Sequence, residues 1–166
     1  MPIPYSSMSR DEHEAWLRAL DISMSIIEFS LDGVILHANR NYLEISGYEE
    51  EDLLHQHHRI FCTADDASSK EYAEFWRNLR LGRFMSGRFC RQRKDGRLFW
   101  VQATYNPLFG PNGQLEKVVK FAVDITKRAE TSNEQASKLE AINRAMLTAE
   151  FSPQGLILNA NHNFLA

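Results

Sequence analysis

Between residues 24 and 127 the chain switches between two hydrophobic periods. The stretch "SIIEFSLDGVILHAN" (25–39) reads as two strands joined at Asp32-Gly33, a tight-hairpin signal. Short helices follow through "RNYLEISGYEEEDLLHQ", where Gly47 is a natural stop. Over 69–82 the period lengthens: Tyr72, Phe75, Trp76 and Leu79 share one helical face and Gly82 closes it. Three alternating segments come next, around 85–93, 98–109 and 114–126, divided by the turn sequences "KDGR" and "GPNG". Ahead of all this, residues 10–22 form an amphipathic helix with Ser9 as N-cap and Trp16, Leu17 and Leu20 as its apolar face. Two strands, several helices and a three-strand meander predict an α+β fold, with the helices gathered on one face of an antiparallel sheet.

The pattern also repeats. "EFSPQGLILNANHNFLA" (150–166) matches "EFSLDGVILHANRNYLE" (28–44) at an offset of 122, with ten of seventeen positions identical. The match extends upstream, placing Leu139 on Leu17, Ala141 on Ala19 and Met146 on Met24. The expected organisation is a cap helix (1–23), a domain (24–127), a helical linker (128–149) and the start of a second copy (150–166). On this reading the chain is a piece of a longer tandem protein, since two strands are not stable alone. The linker contains neither Gly nor Pro. Ala129, Ser132, Ala136, Leu139, Asn143 and Met146 recur at three- and four-residue steps, a weak coiled-coil seam. A single solvated helix is the alternative.

Composition narrows the class. Of the 166 residues, 43% are hydrophobic and 25% charged, with a net charge of −3, as in a globular protein with no basic surface for nucleic acid. No apolar run approaches the roughly 18 residues of a membrane span, and the N-terminus has no signal-peptide pattern. Cys62 and Cys90 form no paired motif, which suggests reduced thiols. A cytoplasmic location is the expectation.

The hairpin, "AN..YLEISGY", the helix ending "FW..LR.G", "G.F.R..KDGR..W..A.YNP" and the closing "DIT" together resemble the PAS sensory domain. The variant with "HHRIFC" and "FW" resembles most the PAS modules of soluble, methyl-accepting chemoreceptor-like transducers, including tandem-PAS proteins of biofilm dispersal. It resembles aerotaxis-receptor PAS domains more distantly. The resemblance implies a five-stranded antiparallel sheet and helices enclosing a small, mostly apolar pocket. By position its wall would include Ile27, Phe29, Asn39, Tyr42, Trp76, Trp100 and Tyr105, with core filling as the plainer reading of the aromatics, and a bound cofactor would meet Asn39, Tyr42, His58, Trp76, Trp100 and Tyr105. A second PAS domain and a C-terminal signalling domain would follow in such proteins.

The stretch "HQHHRIFC" (55–62) invites several chemistries. His55, His57, His58 and Cys62 are zinc ligands in type, but adjacent His57 and His58 diverge and no second ligand pair lies nearby. Set against the flavin-adduct PAS subclass, His58 holds the reactive cysteine's place, and Val101 and Ala122 replace the flavin-reading amides. That argues against adduct photochemistry. Aerotaxis receptors share Trp76 and Asn39 and bind FAD, yet Cys62 and Thr63 stand where their Arg-His pair does. Haem would need His55, His57 or His58 as ligand, because the long helix has no histidine. FAD, haem and a small-ligand or empty pocket stay open, the last slightly favoured. The stretch itself is expected to be a polar loop at the pocket mouth.

The resemblance implies a sensor of ligand or redox state that signals through the linker, with Asp124, Ile125 and Thr126 as the transmitting junction. Asp124 and Thr126 are expected to cap the departing helix. One alternative is a dimerisation module ahead of a kinase or diguanylate cyclase. An enzyme using His57 or His58 as general base is another, but the chain offers no nucleophile turn, phosphate loop or carboxylate pair. A homodimer is expected, through the N-terminal helix or the linker.

Overall fold

A computed structural model describes residues 8–146 and 149–165, without the side chains at 133, 136, 139, 142 and 143. Two compact units divide the chain at residue 125. The first begins with α1 (Arg10–Ser23), capped by Ser9, whose hydroxyl accepts from the Glu12 N–H while Glu12 reaches back to the Ser9 N–H. This capping box satisfies two orphan donors at once. β1 (Ser25–Phe29) and β2 (Ile35–Ala38) form the first hairpin, turning at Gly33, whose φ of 82° only glycine takes readily. A Cβ there would also meet the His57 and Trp76 rings at about 3 Å.

Short helices α2 (Arg40–Ser46) and α3 (Glu50–Leu53), a 3-10 turn (His58–Phe61) and α4 (Ala64–Ser68) lead into the longer α5 (Lys70–Arg80). The meander β3 (Met85–Gln92), β4 (Leu98–Phe109) and β5 (Leu115–Asp124) completes a five-stranded antiparallel sheet of order β2-β1-β5-β4-β3. β5, last in sequence, is therefore central. Among the described residues, the helical segments between β2 and β3 pack on one face. There Ile27, Phe29, Phe99, Val101, Ala103, Tyr105, Val118 and Ala122 meet Tyr42, Leu53, Phe61, Trp76 and Leu79. The other face leaves Trp100 and Val123 partly exposed.

No residue of α1 is buried, and Trp16 and Leu17 are more than half exposed. The expected apolar face exists, but its own sheet does not cover it. What fixes α1 is its C-terminus. Asn39, nearly buried, accepts from the Ile26 and Tyr42 N–H groups and donates to the Asp21 and Met24 carbonyls at 2.8–3.0 Å. Asn41 donates to the carbonyls of Asp21, Ile22 and Met24. Two amides thus satisfy the open end of one helix, the start of the next and the first strand.

The second unit comprises α6 (Thr126–Ala145), a hairpin of β6 (Ala149–Phe151) and β7 (Ile157–Ala160), and α7 (His162–Leu165). It repeats the same lock: Asn161 donates to the Met146 carbonyl, and Asn163 to Arg144. Adding 122 to Asn39, Asn41 and Met24 gives Asn161, Asn163 and Met146, so the repeat extends to hydrogen-bond partners. The side chains of Ala136, Leu139 and Asn143 in the expected coiled-coil seam lie outside the described residues.

Asn39→Ala removes an N-cap and strands buried partners, so it should lower stability by about 2–4 kcal/mol. Asn41→Ala, on a more exposed amide, should cost about 1 kcal/mol. Urea midpoints at constant slope measure both; equal and negligible losses would refute the lock.

Candidate functional site

The site grows from three polar side chains inside the apolar core. The "HHRI" turn is held against the first hairpin: the His58 N–H donates to the Gly33 carbonyl, and the Ile35 N–H to that of Gln56. This turns His58 and Phe61 inward. His58 is fully buried, so the expected polar loop at a pocket mouth is corrected: its third histidine is a core residue. Its Nδ1 lies 3.0 Å from the Tyr72 hydroxyl and its Nε2 3.0 Å from that of Tyr105. The rings of Phe29, Phe61, Tyr72, Phe75, Trp76 and Tyr105 surround the imidazole at 5.2–6.3 Å.

Two cations enter from the sheet. In β5 the alternation Val118, Lys120, Ala122 points Lys120 inward, between Ile27 of β1 and Tyr105 of β4. Its Nζ donates to the Tyr42 hydroxyl at 3.4 Å and lies 5.1 Å from the centroids of both Tyr42 and Tyr105. On β3, Arg91 is 7% exposed and donates from Nη2 to the Tyr105 hydroxyl at 3.4 Å. Phenols link the cations to the imidazole: Tyr72–His58–Tyr105–Arg91, with Lys120 and Tyr42 beside them.

Charge follows from burial. Burial first, then the Arg91 and Lys120 cations, hold the His58 imidazole well below its ordinary value, so the ring is neutral. Burial also lowers Lys120, against the pull of Tyr105. For Tyr105 burial raises the phenol, but Lys120 and Arg91 outweigh it and the net direction is down. Tyr42 moves up, by burial and then by Tyr105. Burial raises the Cys62 thiol, which makes it a poor nucleophile.

The expected pocket residues divide. Tyr42, His58, Trp76 and Tyr105 come together in the interior, and Trp76 is 4% exposed between Phe29, His57 and Phe75. Asn39 belongs to the helix lock, and both ends of its amide are engaged there. Trp100 is corrected as an interior wall residue. It stands five positions from the inward-facing Tyr105, an odd step that puts it on the opposite face of β4. Trp100 instead lines a groove of about 390 Å³ at the β3 edge, with Cys62, Tyr72, Phe75, Phe89 and Arg91. Lys120 and Arg91 are the residues that sequence reasoning missed. Period-two alternation from Val118 and from Phe89 carried the signal for each.

At the far end of β5, Arg93 donates to Asp124 at 3.0 Å and to the Ile45 carbonyl, with its guanidinium 4.6 Å from the Phe99 ring centroid. The Ile125 N–H donates to the Trp100 carbonyl at 2.8 Å. Thr126 is the first residue of α6, so the position before the helix is Ile125.

Cofactor fit follows from these contacts. Both nitrogens of His58, the buried imidazole, are engaged by tyrosines, so it does not suit axial ligation of haem. Val101 and Ala122, which the resemblance sets in the places of the flavin-reading amides, are buried apolar residues without a side-chain hydrogen-bonding group. Among the described residues no group of three His, Cys, Asp or Glu side chains could hold a metal. No described helix is long and apolar enough to cross a membrane.

A five-stranded antiparallel sheet with helices on one face and a polar cluster inside is the architecture of a sensory domain. The family model of the PAS fold matches residues 35–122, and the chain belongs to that family. Biofilm dispersion protein BdlA of Pseudomonas aeruginosa is 44% identical over 150 residues, covering 90% of this chain and 36% of that protein. The aerotaxis receptor of Escherichia coli is 26% identical over 116 residues, covering 70% of this chain and 21% of the receptor. The chain thus spans about a third or less of these relatives. Among solved structures, a PAS domain from Colwellia psychrerythraea superimposes with a TM-score of 0.62 at 24% identity, covering 70% of this chain and 99% of that one.

Trp76→Ala should cost about 3–5 kcal/mol, since a nearly buried indole leaves a cavity; an unchanged melting temperature would contradict its core role. The depressed His58 value also sets a pH dependence. The unfolded imidazole takes a proton near pH 6.5 and the folded one resists it, so this stability is complete above about pH 6.5. It should be lost as pH falls, at up to about 1.4 kcal/mol per unit until the folded value is reached. His57 is lowered too, by partial burial and Arg59, so comparison with His58→Gln isolates the buried ring. Urea midpoints between pH 7.5 and 5 should flatten in that variant; an identical slope would assign the loss elsewhere.

Proposed function

We propose that this chain is the sensory PAS module of a chemotaxis- or biofilm-type signal transducer. In this reading it senses a small molecule or redox state in its interior and passes the change into α6. One observation carries the proposal. β5 supplies Lys120 to the polar cluster, and four residues later Asp124 ends the strand just before the helix. A shift of the cluster that moves β5 acts directly on Asp124, Ile125 and Thr126, the transmitting junction. The similarity to BdlA and to the aerotaxis receptor supports the class of output.

A colourless small ligand fits the interior better than haem or FAD, for the reasons of contact given above. The role is non-catalytic. His58 is enclosed and neutral, and the His57 Nδ1 accepts from the Arg59 N–H 3.1 Å away, which leaves neither poised against a substrate. Assembly as a homodimer is supported by the uncovered Trp16 and Leu17 face of α1. A second PAS domain and a C-terminal signalling domain in the whole protein, and a cytoplasmic location, complete the proposal. A module serving mainly for dimerisation is the second reading, favoured by that same uncovered face.

Hydrogen exchange along α6 separates the two readings. Lys120→Met and Tyr105→Phe alter the cluster without touching the helix. Each should change amide protection in residues 126–145 by at least severalfold while the domain stays folded. Unchanged protection in both variants would leave only the dimerisation reading. An absorbance spectrum of the purified protein decides the cofactor question: a Soret band or a flavin band would overturn the colourless-ligand assignment.

A further inference from the structure

Arg91 is placed in a way the rest of the cluster does not explain. Its guanidinium carries five N–H donors. Nη1 donates to the Cys90 carbonyl at 2.8 Å and Nη2 weakly to Tyr105, while Nε is buried with no hydrogen-bond partner. Among the described residues no carboxylate forms an ion pair with Arg91 or with Lys120. Lys120 therefore sits in the core against phenols and ring faces, and Arg91 against a phenol, the Phe89 ring and one backbone carbonyl, although buried charges are ordinarily paired with an opposite charge. Orphaned buried donors of this kind are uncommon in folded proteins.

Arg91 also lines the groove beside β3, whose apolar surface comes from Phe75, Phe89 and Trp100. About 390 Å³ falls within the range of small-ligand sites, roughly 300–1,000 Å³. We propose that this groove binds a small organic acid, with its carboxylate on Arg91 and its apolar body against Phe75, Phe89 and Trp100. The proposal rests on the sensory reading and places the ligand at the β3 edge, where Arg91 joins the groove to the interior cluster through Tyr105. A carboxylate would supply the opposite charge that Arg91 lacks and accept from its free Nε donor.

The exposed charges of the groove favour a monoanion over a polyanion such as phosphate. Asp66 and Glu71 are negative there and Arg88 is positive, a surplus of one negative charge that repels a second anionic group. The same two carboxylates would accept an ammonium, so the free acid and the α-amino acid are two sources of one recognised group.

Titration of the chain with benzoate, L-phenylalanine and inorganic phosphate, read by tryptophan fluorescence and melting temperature, tests this. Benzoate or phenylalanine should raise the melting temperature and perturb the emission, because Trp100 lines the groove, and phosphate should do neither. Whichever of the two binds tighter identifies the source. Arg91→Met should weaken that binding roughly tenfold to a hundredfold, and Arg88→Gln by less than threefold. If Arg91→Met does not fold, the Arg91 Nε–Hε NMR signal of the unaltered chain takes its place and should move on titration. No response to either carboxylate, equal affinity in Arg91→Met, or a static Nε–Hε signal on saturation would overturn the proposal. Loss of the carboxylate site would leave the sensory reading standing wherever α6 protection still responds to Lys120→Met. Binding at Arg91 with α6 unresponsive to every cluster variant would do the reverse.

Discussion

Lys120 puts a cation at the centre of the sheet, and much of the interior is arranged to tolerate it. An unpaired ammonium in an apolar core is costly, and the usual remedy is a carboxylate or neutralisation. Here the remedy is aromatic. The Tyr42 and Tyr105 faces lie 5.1 Å from the ammonium, and the Tyr42 hydroxyl accepts from it. Tyr105 must then sit between Lys120, Arg91 and His58, and its hydroxyl serves both Arg91 and the imidazole. His58 is left neutral first because burial strips its charged form of water, and then because the Arg91 and Lys120 cations lie beside it. A hydrocarbon core of the same volume would be simpler and often more stable. Retaining three ionisable groups there makes sense if occupancy or proton position is meant to matter.

A cluster of this kind is useful only if its surroundings are stiff enough to convert a local change into movement. Asn39 and Asn41 hold the end of α1 to the start of β1 and α2, while Arg93 clamps Asp124 to the Phe99 ring and to α2. Between these anchors β5 runs through the middle of the sheet, hydrogen-bonded on both sides to β1 and β4. It has a neighbour along each edge and the polar cluster on its inner face. Lateral slip of the strand would break two ladders at once.

Much of this architecture was legible in the sequence. The Asp32-Gly33 turn, the Gly47 stop, the face of α5 and the meander turns all appear as read, because each depends on local backbone chemistry. The interior was less legible. Trp100 is placed on the wall by its position in the resemblance, although its odd separation from Tyr105 puts it on the outer face. Lys120 and Arg91 escaped notice because charged residues are assumed to face water, although alternation put both on the inner face. His58 was hidden for a different reason: a cluster of histidines looks polar in one dimension. Its burial depends on tertiary bonds to Tyr72 and Tyr105, 14 and 47 residues away in the chain.

The repeat adds a constraint on what α6 can be. In the first unit the Asn39–Met24 bond marks where an N-terminal helix hands over to a domain's first strand. In the second unit the Asn161–Met146 bond marks the same handover after α6. The last turns of α6 therefore correspond to α1, and its first turn follows directly on β5. A helix of 20 residues without Gly or Pro has no internal break at which the two roles could separate. Its first turn follows β5 and its last turns carry the carbonyls that Asn161 and Asn163 hold, so one unbroken helix serves both handovers along the chain.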